Sequence, residues 1–416
     1  MKVFSVVVGI LLLAVPSFAL DLAEMQSTAL AKRELIKRNM INLEKSEKDL
    51  LLARAGYFPS VDISYQANAL DEDTLLENRE NSVFRGAVSW NVFNGFFDKY
   101  QIESAELLTE VEKYQLQGIK QDILRNVAVR YLDVYERRAN LEVARKNFET
   151  LEKIYQDGKN RLEVGLIDRN ELLKIKVDLD NSDIQVEAAR AGLEKSVLLL
   201  GREIGEELEL AQLDFVDFKK HPTQKNLAEN MALMLTNRSE LLALGKLIDA
   251  SRFQAKSAES TYYPKVNLVG SYQNLDDEYI NGRGDLNQDE LRAQLQVSVN
   301  LYQGGATREA VAKARLESMG LQYDEKELKD TLQTELRNLH IDFEVSLRNI
   351  EVARGSIEQA EENLRITRLK YNEGLQRESE LLDAVANLSR AQFNYVAVVR
   401  VAFLNHYNIL RAIEAF

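Results

Sequence analysis

The sequence lacks cysteine and has very few histidines. No cysteine occurs in 416 residues, which excludes disulfide bonds, thiolate metal sites, a cysteine nucleophile and a cysteine-borne lipid anchor. The three histidines, His221, His340 and His406, are scattered over the chain. Isolated histidines are usually structural, so we expect no metal site and no cofactor. A formal net charge of −13 argues against a nucleic-acid partner.

Helix breakers and catalytic motifs are scarce as well. The chain has four prolines and 19 glycines, with 29% charged residues, a composition typical of long helices. Beyond residue 19, no segment is apolar enough for a transmembrane helix of about 20 residues. The chain would therefore enter a membrane only as β-strands. It has no glycine-rich phosphate loop and no HExxH motif, and we expect no enzyme.

Residues 1–19 have the pattern of an export signal. Lys2 gives a positive start, an apolar run extends from Val3 to Val15, and Ser17 to Ala19 form a small-x-small cleavage site. An uncleaved anchor is the alternative, although the run is shorter than a spanning helix. We expect the chain to be exported and residues 1–19 to be removed.

The remaining sequence contains the same pattern twice. Val88–Gly95 recurs as Val297–Gly304, and Gly165–Leu173 recurs as Gly374–Leu382, both at an offset of 209 residues. A period of this length corresponds to a whole structural half and not to a solenoid unit. The duplication predicts two copies of one architecture.

Each copy has an aromatic–proline motif that opens a β-hairpin. The residue before Pro59 or Pro264 is disfavoured in a helix, so each motif ends a helix and begins an extended segment. Strict alternation of apolar and polar residues follows, as in a half-buried strand. The second hairpin is four residues longer, with the insertion expected in or near 276–288. The residues predicted to share the apolar face are Val61, Ile63, Tyr65, Ala67, Phe84, Val88, Trp90, Val92, Leu295, Val297, Val299 and Leu301.

Long helices are predicted for most of the rest. Apolar residues recur at three- and four-residue steps from Leu141 to Tyr155 and from Ile350 to Leu364, which is a heptad seam of supercoiled helices. The resulting division is a first repeat, 20–201 (helix 22–56, β-hairpin 60–95, helical hairpin 97–201), an irregular linker, 202–224, and a second repeat, 225–416 (helix 225–260, β-hairpin 265–304, helical hairpin 305–414).

The two β-hairpins indicate an assembly. Their polar faces carry Arg85, Asp62 and several amides, as in a wet lumen, and strands of about ten residues can span a bilayer. An open strand edge is not tolerated in lipid, and single-chain barrels begin at eight strands. Four strands per chain therefore require several copies. The alternative is a pair of small sheets packed on a soluble core.

The order of these motifs resembles the TolC-type outer-membrane efflux proteins over residues 20–416. The resemblance implies a mainly α fold with transmembrane β: a homotrimer in which each chain gives four strands to a 12-stranded barrel and a long coiled-coil helical barrel extends through the periplasm. It also implies a periplasmic adaptor (membrane fusion) protein and an inner-membrane ABC or proton-driven pump as partners, and outer-membrane lipid around the strands.

The tips of the helical hairpins are candidate adaptor contacts. Gly165–Leu166 and Gly374–Leu375 stand where each long helix must reverse. A glycine there is explained by a left-handed C-cap alone. The resemblance adds a second role, in which Leu166 and Leu375 are exposed apolar contacts for the adaptor.

The resemblance also assigns a gate near these tips. Its closed state implies a tyrosine at Tyr371 bonded to the first copy at Asn170 and Glu171. The family's arginine falls on Gln376, which cannot supply a charged fork, with Arg377 beside it. Two acidic rings map to Glu380 and Asp383, which share one helix face; an ordinary solvated acidic face is the alternative.

The predicted function is a passive exit channel for drug efflux or type I secretion, located in the outer membrane with a large periplasmic part. A periplasmic coiled-coil adaptor or scaffold without a pore is the second hypothesis, and a surface adhesin or stalk is the third. Adaptors usually have one helical hairpin, and stalks a continuous heptad run, whereas this sequence has two reversing hairpins.

Overall fold

A computed structural model describes residues 20–73, 78–279 and 288–416. The predicted export signal, 1–19, lies outside these residues. The described chain is mostly helical with one four-stranded sheet, which confirms the predicted combination of long helices and four strands. It divides into two compact units. Among the described residues, the helical unit comprises 20–34, 120–234 and 334–416, and the sheet unit comprises those within 35–119 and 235–333.

Eight α-helices are found in the described part of the chain: α1 (Leu22–Lys32), α2 (Glu34–Ala55), α3 (Phe97–Glu163), α4 (Arg169–Ile204), α5 (Leu227–Asn237), α6 (Ser239–Glu259), α7 (Ala306–Asn372) and α8 (Glu378–Ala412). The helices predicted at 22–56 and 225–260 are each broken once, at Arg33 and at Arg238. These breaks are 205 residues apart, as are Pro59 and Pro264, so the interruption is itself duplicated.

Among residues 20–73, 78–279 and 288–416, none of the helices combines the length and the apolar character needed to cross a bilayer.

The sheet is antiparallel and follows chain order: β1 (Ser60–Ala69), β2 (Glu80–Asn94), β3 (Lys265–Asp276) and β4 (Gln288–Ser298). The register aligns Val61 with Val88, Val88 with Gly270, and Gly270 with Ala293. Parts of both hairpin loops, 74–77 and 280–287, lie outside the described residues, and the second covers most of the segment expected to hold the insertion. The two hairpins therefore join through β2 and β3 into one sheet.

The apolar face of this sheet is exposed in the single chain. Ile63 is 73% exposed and Leu291 is 86% exposed, although both are large aliphatic residues. The alternative in which this face packs on a soluble core is thus not what the described chain shows. Two details of the predicted face are wrong. Because β4 ends at Ser298, Val299 and Leu301 lie beyond the strand, and the β2–β3 register shifts at Val92, between Asn91 and Phe93.

The segment 202–224 is less irregular than predicted. Helix α4 continues to Ile204, and two short 3₁₀ helices follow at Leu210–Gln212 and Val216–Lys219. The Phe215 ring stacks on the Tyr131 ring at 5.2 Å between centroids, and the Phe218 ring on that of Tyr135 at 4.5 Å. The aromatic residues of this segment therefore belong to the core of the helical unit, a role that the prediction missed.

Candidate functional site

Both helical hairpins turn with the same backbone geometry. Gly165 and Gly374 have φ of +75° and +72°, a left-handed conformation that favours glycine. The N–H of Leu166 donates to the carbonyl of Arg161 at 2.9 Å, and that of Leu375 donates to Lys370 at 2.9 Å. This six-to-one hydrogen bond is the Schellman C-cap. The capping role of the two glycines is therefore observed.

The apolar residues after these glycines point outward. Leu166 is 70% exposed and Leu375 is 77% exposed. Large aliphatic side chains at both turns are thus accessible to a partner. Their docking role stays a prediction, because no partner is present.

The helices that leave the two turns begin differently. The Asp168 carboxylate caps α4 by accepting from the N–H of Glu171 at 2.9 Å. The residue at the same place before α8 is Arg377, whose side chain makes no cap hydrogen bond. Gln376 instead donates from Nε2 to the Glu380 carboxylate at 2.5 Å. Gln376 and Glu380, which the resemblance placed in different parts of the gate, therefore contact each other.

Tyr371 lies at the end of α7, inside the core of the helical unit. It is buried in an apolar cluster with Leu151, Ile175, Leu381 and Val385. Its hydroxyl has no hydrogen-bond partner among the described residues. Burial raises the pKa of Tyr371, the Arg161 charge opposes this rise, and the Glu171 carboxylate adds to it. The Glu171 carboxylate thus disfavours ionisation of Tyr371, but the predicted hydrogen bond to Tyr371 is not formed in the described chain.

Arg161, in the last turn of α3, contacts this end of α7. Its guanidinium lies 4.7 Å from the centre of the Tyr371 ring. It also donates from Nη2 to Asn372 Oδ1 at 3.0 Å. The contact joins the first helical hairpin to the second.

A cleft of about 490 Å³ separates the starts of α4 and α8, with Asn170 and Asp383 in its lining. Glu378 also lines it and is only 3% exposed. Burial raises the pKa of the Glu378 carboxyl, which Lys174 partly offsets from 3.7 Å. Burial, together with the Asp383 charge, raises the pKa of Asp178 on the opposite wall. Carboxylates from both hairpins thus face one cleft.

The predicted gate residues are only partly brought together. Asn170 and Asp383 share the cleft and Gln376 binds Glu380, whereas the Tyr371 hydroxyl has no hydrogen-bond partner among the described residues. Arg377 is exposed at the start of α8. In the described part of the chain, no cluster of three or more potential ligands could hold a metal ion.

Comparison with known proteins identifies the family of this chain. The family described as "Outer membrane efflux protein" matches residues 25–206 and 231–412. The chain belongs to the outer membrane efflux protein family. This confirms the sequence resemblance and, at the level of the family, the predicted class of outer-membrane efflux protein and its location in the outer membrane with a large periplasmic part.

Individual relatives are distant. The outer membrane efflux protein BepC of Brucella suis is 22% identical over 65% of this chain and 60% of its own length. The outer membrane protein TolC of Vibrio cholerae is 22% identical over 72% of this chain and 70% of its own. The aligned part thus spans less than two thirds of BepC.

Solved structures support the same fold. The outer-membrane channel OprN aligns with a TM-score of 0.81 at 15% identity, covering 95% of this chain and 90% of OprN. VceC of Vibrio cholerae aligns with a TM-score of 0.79 at 14% identity, covering 94% of this chain and 95% of VceC. At such identities the likeness establishes the efflux-channel fold alone.

Two residues near the tips of the helical hairpins were not predicted from the sequence. Arg161 and Glu378 are ordinary charged residues on heptad helices, and neither falls on a motif. Arg161 matches Lys370 in the second repeat, and Glu378 matches Arg169 in the first. The one signal in the sequence is the reversal of charge between Arg169 and Glu378. A charge reversal between repeats marks a place where the two copies contact different neighbours.

Proposed function

We propose that the protein is a homotrimeric exit channel of the outer membrane that acts with a periplasmic adaptor and an inner-membrane ABC or proton-driven pump. The observation that carries this proposal is the exposed apolar face that runs across all four strands. Ile63 on β1 and Leu291 on β4 stand at its two sides, and Val88 lies between them.

The strand edges give the reason for an assembly of several chains. Within the described chain, β1 pairs only with β2, and β4 pairs only with β3. In lipid the unpaired N–H and C=O groups of both outer edges would cost several kcal/mol each. Pairing β1 of one copy with β4 of the next satisfies both edges. Two chains would already reach the minimum of about eight strands for a closed barrel, so the number three, which gives 12 strands, follows from the family resemblance.

The helical hairpins supply the periplasmic part. Leu166 and Leu375 at the two tips are the contacts proposed for the adaptor. Glu380 and Asp383 near the start of α8 are proposed to face the pore axis as two acidic rings, so that three chains place six carboxylates at the narrowest point. Transport energy would come from the partner pump, while this protein provides the passage.

The assembly can be tested through the two faces of β2. Val88→Arg places a charge on the lipid face and should cost about 2–4 kcal/mol near the bilayer midplane, whereas Ser89→Arg on the neighbouring lumen face should cost little. Outer-membrane fractionation and mass measurement in detergent would show a trimer for the wild type and for Ser89→Arg. The amount of trimer recovered from the outer membrane should be much smaller for Val88→Arg.

A stable detergent-solubilised monomer, or equal insertion of both variants, would contradict this architecture. Recovery of the wild type in the soluble periplasm would favour the adaptor hypothesis instead.

A further inference from the structure

The end of α3 and the end of α7 are joined by one cationic side chain. Arg161 places its guanidinium 4.7 Å from the centre of the Tyr371 ring and donates to Asn372 Oδ1 at 3.0 Å. Tyr371 is 6% exposed, so the ring is shielded from water, whereas Arg161 is half-buried and its hydrogen bond to Asn372 is exposed. A cation over an aromatic face gains strength when both groups are desolvated.

We propose that Arg161 is the residue that holds the second helical hairpin against the first in the closed channel, and that it binds the face of the Tyr371 ring. This rests on the proposed export function. The cation of the link would thus come from the first hairpin, while the second hairpin has Gln376 where the family resemblance places an arginine.

The state of the Tyr371 hydroxyl favours the ring as the point of contact. The hydroxyl is buried and has no hydrogen-bond partner in the described chain. A buried hydroxyl without a partner is unfavourable, so it is not the group that binds the hairpins together here. The ring, in contrast, belongs to the apolar cluster and has the Arg161 guanidinium over its face.

The position of Arg161 also connects this link to the tip. Its carbonyl accepts the N–H of Leu166, the hydrogen bond that closes the turn. A partner that moves the exposed Leu166 would therefore shift the residue that holds Tyr371. Opening on docking then needs no contact between the partner and Tyr371 itself.

Pore opening in planar bilayers tests the assignment. Arg161→Gln and Tyr371→Leu should each raise the open probability of purified trimers by at least about twofold, the factor that corresponds to a single weak cation–π contact; each trimer contains three such contacts. Tyr371→Phe keeps a ring face and should give a clearly smaller rise than Arg161→Gln. Arg169→Gln removes an exposed arginine from the same tip and should leave the pore as in the wild type.

Two outcomes would overturn the inference. If Tyr371→Phe opened the pore as much as Arg161→Gln, the hydroxyl would be the holding group. If Arg161→Gln behaved as Arg169→Gln does, Arg161 would be a surface residue. A double variant with Arg161→Gln and Tyr371→Leu should open no further than Tyr371→Leu alone, because the two residues share one contact.

A crosslink provides a measurement that does not depend on weakening the fold. Since the natural chain has no cysteine, Arg161→Cys with Asn372→Cys creates a unique pair for a short bifunctional thiol reagent. The reagent should lower the open probability of the double-cysteine variant and have no effect on either single variant. Continued opening of the crosslinked variant would overturn the inference.

The same recordings separate this inference from the proposed function. If wild-type trimers form no pore at all, the proposed function fails as well. If the pore works and Arg161→Gln does not change its opening, only the inference fails.

Discussion

The tip at Gly165 and the tip at Gly374 have the same backbone turn and opposite charges beside it. Both glycines are left-handed and both turns close with a 2.9 Å six-to-one hydrogen bond. Between matched positions 209 residues apart, however, Asp168 becomes Arg377, Arg169 becomes Glu378, and Lys174 becomes Asp383.

The difference shows which part of the turn the duplication had to keep. A positive φ is costly for residues other than glycine, so the reversal itself allows little change. The first turns of α4 and α8 contact each other across the cleft, and identical charges in both copies would repel there. The exchange instead gives an attractive pair, Lys174 with Glu378. The charges at the two tips therefore differ because the two repeats of one chain contact each other there.

The largest expected effect concerns the exposed leucines that the two tips share. Leu166→Asp or Leu375→Asp should abolish export and crosslinking to the adaptor while leaving the trimer in the membrane, because the charge would be buried without a partner in the docked state. Leu375→Met keeps an apolar side chain of similar volume and should retain export. Normal export from a folded Leu375→Asp trimer would remove this tip from the mechanism, and unequal losses would show that the adaptor distinguishes the tips.

Exchanging the matched charges tests the contrast more directly. Glu378→Arg gives α8 the residue of the first copy, but it buries a cation beside Lys174. We expect a loss of about 1–3 kcal/mol in the free energy of unfolding, because a charge would be buried at residue 378 without a partner. Arg169→Glu is the reciprocal change at an exposed position and should stay within about 0.5 kcal/mol. Thermal unfolding followed by circular dichroism would measure the stability of both variants. Equal losses of stability in Glu378→Arg and Arg169→Glu would contradict the proposed difference between the two tips.

The tips also show what the sequence could predict. The glycine turns, the long helices and the alternating strands follow from local patterns, because backbone conformation and side-chain periodicity are properties of neighbouring residues. The breaks at Arg33 and Arg238 were not predicted, since no proline or glycine stands there.

The contacts between distant segments were beyond such patterns. Arg161 reaches Asn372 across 211 residues of sequence, and Phe215 stacks on Tyr131 from a segment predicted to be irregular. The family resemblance supplied candidate gate positions, but it could not place a cation on the opposite hairpin. Pairings of this kind depend on which helices become neighbours, and periodicity alone does not determine that.

A smaller effect should separate the two helix starts. Asp168→Ala removes the carboxylate that caps α4 and should cost about 1 kcal/mol. Arg377→Ala at the matched position before α8 should change stability little, because its side chain makes no cap hydrogen bond. Hydrogen exchange of the first-turn amides of α4 and α8 would report each helix start separately. Equal losses of protection would mean that Arg377 stabilises α8 by another route.

The smallest effect is the pH dependence of the buried carboxyl that only the second tip has. Burial raises the pKa of Glu378 above its ordinary value of 4.5, with Lys174 opposing the rise. The folded chain then binds this proton more tightly than the unfolded chain does. The stability that the group contributes is therefore fully present below pH 4.5 and is lost as the pH rises through the pKa of the folded state.

Glu378→Gln cannot titrate, so the melting temperature of the wild type minus that of this variant should increase as the pH falls from 7 towards 4.5. Lys174→Met should enlarge the increase, because removing the cation raises the folded pKa further. A difference that does not change over this range would place Glu378 in water and make the two tips electrostatically alike.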